Sequence, residues 1–409
     1  MAQRYDTYKD SGVQWLGEIP GHWGAVPLKR ICEMKSGNNL TSFDILEAGP
    51  YPVYGANGFR GYYTQYNKEG KFILIGRQGA LAGNVHLVDG RFWATDHAVV
   101  TNITSNKVYV EYISLALESM NLNQYAFDTA AQPGLAVSRI ISFSVPLPPL
   151  SEQKSIVSYL DDKCGKIEKL LAGKQKQIEL LAEMKQRIIA DAVTRGLNPD
   201  VKMKVTNIPW LPEIPEHWEE KRLSSMFTGE VEINKDFEFK RAFKFNYGQL
   251  VPKNEIGDSE EYREVYVKYS KIKTGDILIN GLNLNYDFIT QRVACAPSDG
   301  IITSAYVVCR PRDGVNHRYF TYLFKGMDSM KLFHGMGSGI RLTLSFKEMK
   351  KQIIPLPPLT EQRAIVSYLD DKTSKINTLV AKLQQEIEAI KEYKQRLISD
   401  VVTGQIKVC

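Results

Sequence analysis

Four short stretches carry residues whose types and spacing could do chemistry. "FHGMG", Phe333 to Gly337, fits F-x-G-x-G, the glycine turn that holds S-adenosylmethionine in methyltransferases. Such a site also needs an N-P-P-F or D-P-P-Y loop to grip an extruded amino group. The nearest match, "NPDV" from Asn198, lacks the second proline and the aromatic residue. Pro199-Asp200 followed by "EEK", Glu219 to Lys221, imitates a P-D…E-x-K nuclease, which needs clustered carboxylates around Mg²⁺. Here the two parts straddle a tryptophan motif and the start of a domain. "GRQGALAG" from Gly76 lacks the Lys-Ser/Thr of a phosphate-binding P-loop. No catalytic, cofactor-binding or metal-binding set is complete, so none is assigned.

Composition narrows the classes further. At 409 residues the chain is long enough for two or three domains, and 43% hydrophobic with 24% charged residues is an ordinary globular balance. The start, "MAQRYDTYKDSG", has no apolar core, so no secretory signal is read there, and no apolar run reaches the roughly 18 residues of a membrane span. Cys32, Cys164, Cys295, Cys309 and Cys409 are scattered and never form C-x-x-C, which argues against disulfides and zinc and fits a cytoplasmic protein. The net charge of +6 permits a nucleic-acid surface without showing one.

The elements that must position any site are repeated. "PLPPLSEQKSIVSYLDDK" begins at Pro146 and "PLPPLTEQRAIVSYLDDK" at Pro355, 209 residues later. Extended to Arg195 and Gly404, the copies agree at 30 of 50 positions, too many for a chance phrase. "WLGEIPGHW" from Trp15 and "WLPEIPEHW" from Trp210 precede them. The chain is a tandem of two similar halves.

Each phrase opens a helix behind a proline pair, with Ser151 or Thr360 as N-cap and Glu152 or Glu361 in the first turn. Seam positions then recur at alternating spacings of four and three, the pattern of a coiled coil. In the first copy the apolar ones are Leu160, Ile167, Leu171, Ile178, Leu181 and Ile188. In the second they are Leu369, Ile376, Val380, Leu383, Ile387, Ile390 and Leu397. Lys174, Lys185 and Lys394 fall on the same seams. Each helix of roughly 45 residues would run about 65 Å, whereas the linker from Gly196 to Pro209 reaches at most about 50 Å. An antiparallel pair needs no return path, and is expected.

Between these repeats, "FILIGRQG" from Phe72 corresponds to "DILINGLN" from Asp276, and "WATDHAVV" from Trp93 to "IITSAYVV" from Ile301. Both are apolar strands, the first running into a Gly/Asn loop. Each stretch closes with a Gly-rich turn, "TAAQPGLAVS" or "GMGSGIRLTLS". The predicted fold is α+β: two mostly-β globular domains separated by two long antiparallel coiled-coil helices, in a pseudo-twofold tandem repeat. Its segments are 1–150, first domain; 151–195, first spacer helix; 196–209, linker; 210–359, second domain; 360–404, second spacer helix; and 405–409, tail.

The order of tryptophan motif, variable domain, "PLPPLSEQKSIVSYLDDK" helix, and then all three again resembles the DNA-specificity subunit of a type I restriction-modification enzyme. The "ILIGRQGALAGNV" and "FWATDHAVV" segments share in that likeness, which covers essentially the whole chain. The resemblance implies a non-catalytic chain whose two variable domains are target-recognition domains, each reading half of a split site in double-stranded DNA. It implies two modification subunits and motor-nuclease restriction subunits as partners, with S-adenosylmethionine, ATP and Mg²⁺ on those partners and no cofactor here. A catalytic DNA methyltransferase or nuclease, or a coiled-coil scaffold without DNA binding, is the alternative. Salt-sensitive binding to duplex DNA separates the scaffold from the rest.

If the resemblance holds, base reading falls to hydrogen-bonding side chains on loops, with Arg suited to guanine and Asn or Gln to adenine. In the first domain these are Arg77, Gln78 and Asn84, with Lys71, Arg91 and Arg139 for phosphates. In the second they are Asn280, Asn283, Asn285 and Arg292, with Lys240, Arg241, Lys244, Arg341 and Lys347 for phosphates. His22 and His217, with Trp15, Trp23, Trp210 and Trp218, read as packing each domain on a helix end, an interface with the modification subunits being the alternative. Tyr62, Tyr63 and Tyr66 read as strand or core residues.

Overall fold

A computed structural model of the protein describes residues 3–79, 82–125, 134–253, 260–285, 291–339 and 342–408. It divides into two units, residues 1–174 with 384–409, and residues 175–383.

The first repeat contains strands β1 (Cys32–Ser36), β2 (Phe72–Gly76), β3 (Val85–Val88) and β4 (Ala98–Ile103), then helix α1 (Val110–Ser119) and the long helix α2 (Leu150–Arg195). The second contains β5 (Phe227–Thr228), β6 (Ile277–Ile279), β7 (Val293–Cys295) and β8 (Val307–Pro311), then α3 (His317–Ser329) and the long helix α4 (Leu359–Val402). The central sheets have the same order, β1-β4-β2-β3 and β5-β8-β6-β7, antiparallel throughout.

Why the strands read as unbroken apolar runs is visible in their packing, because both faces of each sheet are covered. Ile73 and Ile75 point to one core with Val99, while Leu74 points to another with Phe92 and Val100. Ile277 and Ile279 likewise face away from Leu278. Around the sheet, the strand after each tryptophan motif pairs with the strand before each long helix. Gly24–Pro27 pairs with Ser144–Leu147, and Glu219–Arg222 with Ile353–Leu356. The tryptophan motif is therefore fastened to the proline pair that starts the helix.

A carboxylate completes that junction. Trp23 Nε1 donates to Glu152 Oε2 at 2.9 Å, His22 Nε2 lies 2.7 Å from Glu152 Oε1, and the Tyr5 hydroxyl donates at 3.2 Å. In the second unit Trp218 Nε1 and His217 Nε2 meet Glu361 Oε2 at 3.0 and 2.7 Å. The helices begin at Leu150 and Leu359, so Ser151 and Thr360 lie inside the first turn rather than capping it. Glu152 and Glu361 sit where a negative charge favours the helix N-terminus.

Each long helix serves both units. In unit 1, the start of α2 (Ile156, Val157, Leu160) and the end of α4 (Leu397, Ile398, Val401, Val402) share one core with Trp23. In unit 2, Ile189, Ala192 and Val193 from α2 join Ile365, Val366 and Leu369 from α4 around Trp218. Cross-helix bonds run antiparallel within unit 1, Lys394 to Glu168 at 2.8 Å and Lys174 to Glu386 at 2.6 Å. In unit 2, Lys185 donates to Asn377 Oδ1 at 2.8 Å. All the seam positions are buried or half-buried, and the positions between them are largely exposed. Both helices end on a left-handed glycine, Gly196 (φ +76°) and Gly404 (φ +77°). A Cβ on Gly404 would collide with Pro20 and stand 3.0 Å from the Trp23 ring, so the helix end seats directly on the motif.

Candidate nucleic-acid interface

The loop after β2 is held by backbone bonds from three directions. Gly76 N donates to Asn84 O and Gly83 N to Gly76 O, both at 2.8 Å, which closes the loop on itself. Arg77 N donates to His97 O at 2.9 Å, and Leu135 N to Arg77 O at 2.8 Å. Gly83 needs its left-handed φ of +97°, and a Cβ there would lie 2.5 Å from Asn123 N. On this frame Arg77 Nη1 donates to Ser36 Oγ at 3.2 Å, and Gln78 Oε1 meets His97 Nδ1 at 2.9 Å. Asn84 Nδ2 donates to Asn57 Oδ1 at 3.4 Å. All three side chains are half-buried, held by partners that water or a base edge can replace. Arg139 lies four residues beyond Leu135, its guanidinium 5.7 Å over the Tyr125 ring.

Lys71 and Arg91 belong elsewhere. Lys71 precedes β2 and Arg77 follows it, so six residues of extended chain, roughly 20 Å, separate them. Lys71 pairs with Glu111 at 2.6 Å and Arg91 with Glu69 at 2.9 Å. These two cations form solvated ion pairs at the far end of the sheet. Tyr62 and Tyr63 sit in the strand Gly58–Tyr63 with ring contacts to Phe59 and Trp93, and Tyr66 lies under Arg91.

The second unit repeats the brace with different side chains. Leu344 N donates to Gly281 O at 2.9 Å, the counterpart of Leu135 on Arg77. Arg292, expected among the base readers, is not on the loop's surface. It is fully buried, and its guanidinium donates to the carbonyls of Asn280 and Leu282 at 2.8 Å and of Asn283 at 3.5 Å. It shapes the loop from beneath and offers nothing to a base. Asn280 Oδ1 accepts from Leu282 N at 3.2 Å, so that side chain also serves the turn. Asn283 is exposed in a left-handed conformation (φ +52°), and Asn285 is half-buried. Lys347 is exposed in the first turn of the short helix Phe346–Met349, close in sequence to the brace. Lys240, Arg241 and Lys244 are exposed at and near the hairpin Phe243–Asn246/Gln249–Pro252, which packs on the opposite face of the sheet through Phe243 and Leu250. Arg341 lies outside the described residues.

Sequence reasoning missed His97, in the turn before β4, and Ser36, at the end of β1, which hold Gln78 and Arg77. The catalytic look-alikes are structural. Phe333 of "FHGMG" is fully buried in the unit 2 core, and Glu219 pairs with Lys221 at 2.9 Å on an exposed strand. Among the described residues no group of three or more His, Cys, Asp or Glu could hold a metal ion, and no helix is long and apolar enough to cross a membrane. Burial pushes the Cys32 thiol up to about 12 and Cys309 higher still, the opposite of a nucleophilic thiolate.

The chain is similar to the type I restriction enzyme EcoprrI specificity subunit of Escherichia coli, 36% identical over 164 residues, which span 39% of this chain and 40% of that protein. It is 25% identical over 359 residues to the type I restriction enzyme MjaVIII specificity subunit of Methanocaldococcus jannaschii, covering 82% of this chain and 79% of that one. Among solved structures, it shares its fold with a chain described under the structural basis of complex assembly and conformational transition of the type I R-M system. The TM-score is 0.67 at 16% identity, over 94% of this chain and 98% of the other. The family model for the type I restriction modification DNA specificity domain matches twice, over residues 20–180 and 215–389, and the chain belongs to that family.

Proposed function

We propose that the chain is the non-catalytic specificity subunit of a type I restriction-modification complex in the cytoplasm. It reads a bipartite site in double-stranded DNA, one half-site through residues 1–150 and the other through residues 210–359. Residues 151–195 and 360–404 set the distance between half-sites, joined by the linker 196–209, with 405–409 as a tail. Two modification subunits and the motor-nuclease subunits assemble on it and supply S-adenosylmethionine, ATP and Mg²⁺. The observation that carries this reading is the doubled frame: one sheet order and one backbone brace, bearing Arg-Gln in the first loop and Gly-Leu in the second. Matched scaffolds with unlike loops suit two related tasks with different targets. Arg77, Gln78 and Asn84 are the base readers of the first half, with Arg139 on phosphate. Asn283 and Asn285 read in the second, with Lys240, Arg241, Lys244 and Lys347 on phosphate.

Single-molecule sequencing of adenine methylation, in a strain with and without this chain, tests the proposal. A split motif should vanish with the chain. Replacing residues 24–145 by the equivalent domain of a relative should change one half of the motif and spare the other. An unchanged methylome, or loss of both halves in the exchange, would defeat it.

A further inference from the structure

One charged cluster of the first repeat is inverted in the second. In unit 1, Lys394 bonds Glu168 at 2.8 Å, and Glu118 on α1 interacts electrostatically with both. Each member has a counterpart in unit 2. Lys185 and Asn377 stand 209 residues from Lys394 and Glu168, the spacing of the repeated phrase, and they bond each other at 2.8 Å. The buried tyrosines Tyr112 and Tyr319, whose hydroxyls donate to carbonyls at the ends of the long helices, align α1 with α3. That alignment places Lys325 where Glu118 stands. Two carboxylates around one ammonium have become two ammoniums and an amide.

The exchange opens onto a cavity. Lys185, Lys325 and Asn377 line a space of about 380 Å³ in unit 2, with Ile178, Ile376 and Val380 as apolar wall. Burial lowers the pKa of both lysines, and the charge of Lys185 lowers that of Lys325 further. Among the described residues, two other charged side chains line the cavity, Asp328 and Lys331, and these attract one another. Lys185 and Lys325 thus bring two like charges together in a half-buried setting, where screening by water is weak.

We propose that this cavity binds a phosphate-type oxyanion. Lys185 and Lys325 supply two point charges, and the amide hydrogens of Asn377, whose oxygen already accepts from Lys185, donate to the anion. A glutamate at 377 would repel such a ligand, and the first repeat carries a glutamate, Glu168, at the matching position. The space is larger than inorganic phosphate, so the group is carried on a small molecule or on the DNA backbone. The inference does not depend on the function proposed above.

Titration calorimetry of the full-length chain with inorganic phosphate at low ionic strength tests it, alongside N377E and K325E. Both variants install the residue that the same frame accommodates in the first repeat, and thermal unfolding checks that each folds. Saturable phosphate binding is expected in the wild type and at least about tenfold weaker binding in either variant. DNA affinity, measured across salt concentrations, separates the sources. An unchanged salt slope in N377E assigns the site to a free phosphorylated molecule, and a slope reduced by about one assigns it to the DNA backbone. Phosphate binding equal in all three proteins, or no phosphate binding together with unchanged DNA affinity in N377E, overturns the proposal.

Discussion

Glu361→Ala is expected to weaken unit 2 by a definable amount. The substitution removes the acceptor of the Trp218 indole, a ring with no exposed surface. Leaving a buried donor unsatisfied costs about 1–3 kcal/mol. Loss of a negative charge in the first turn of a helix adds about 0.3–1 kcal/mol. The His217 contact adds little, because the imidazole is 47% exposed and can turn to water. The sum is about 1–4 kcal/mol, or roughly 3–15 °C in the midpoint for a unit of this size. Urea unfolding gives the total, and hydrogen exchange at the start of α4 assigns it to unit 2. A double-mutant cycle with Trp218→Phe, which deletes the donor and keeps most of the ring, isolates the bond. With Phe at 218, Glu361→Ala should cost about 1–2 kcal/mol less than in the wild type. If the two substitutions are additive to within about 0.5 kcal/mol, the indole–carboxylate bond does not hold the junction and the reasoning fails.

Gly404→Ala forces a left-handed alanine, about 1–2 kcal/mol by itself, and drives a methyl group into Pro20 and Trp23; limited proteolysis should find unit 1 opened near residues 15–25 and unit 2 intact. Lys325 has a lowered pKa in the folded chain and its ordinary value of 10.5 once unfolded, so between the two the unfolded state binds more protons and stability rises with pH. Lys325→Met should be the more stable protein at neutral pH, with its advantage shrinking as denaturation is repeated toward pH 10.5; a constant difference would contradict this origin. Arg292→Met removes three carbonyl anchors beneath the loop 280–285, and methylation mapping should show the second half-site degraded while the first is retained.

The parts of the fold visible in the sequence are those governed by local periodicity. The 4-3 spacing from Leu160 and from Leu369 reads as helix without help from the rest of the chain, and "FILIG" reads as an apolar strand. Less visible is anything requiring the chain to return. That Val401 and Val402 close the core around Trp23 follows from contacts across some 380 residues, which no window contains. The candidate loops were legible because glycine and asparagine mark the turn after an apolar run. Their neighbours were not: Lys71 and Arg91 are near the loop in sequence, yet the strand carries them to the far end of the sheet. Arg292 reads as a surface cation because nothing local reveals that its guanidinium folds under three carbonyls. The inverted charge cluster lies in plain sight, but only once Lys185 is set against Lys394 and Glu118 against Lys325.

The shared cores also dictate an order of events at the ribosome. Residues 175–383 contain everything unit 2 needs, in one uninterrupted stretch. Unit 1, although its sheet is synthesised first, lacks Leu397 through Gly404 until after unit 2 has been made in full. Domains usually complete in the order of synthesis; here the earlier one waits. During that interval the groove beside Trp23, Ile156 and Leu160 stands open, and its apolar lining is the nascent chain's exposed liability. A premature stop just short of residue 397 would thus spare the second domain and cripple the first, reversing the usual polarity of truncation.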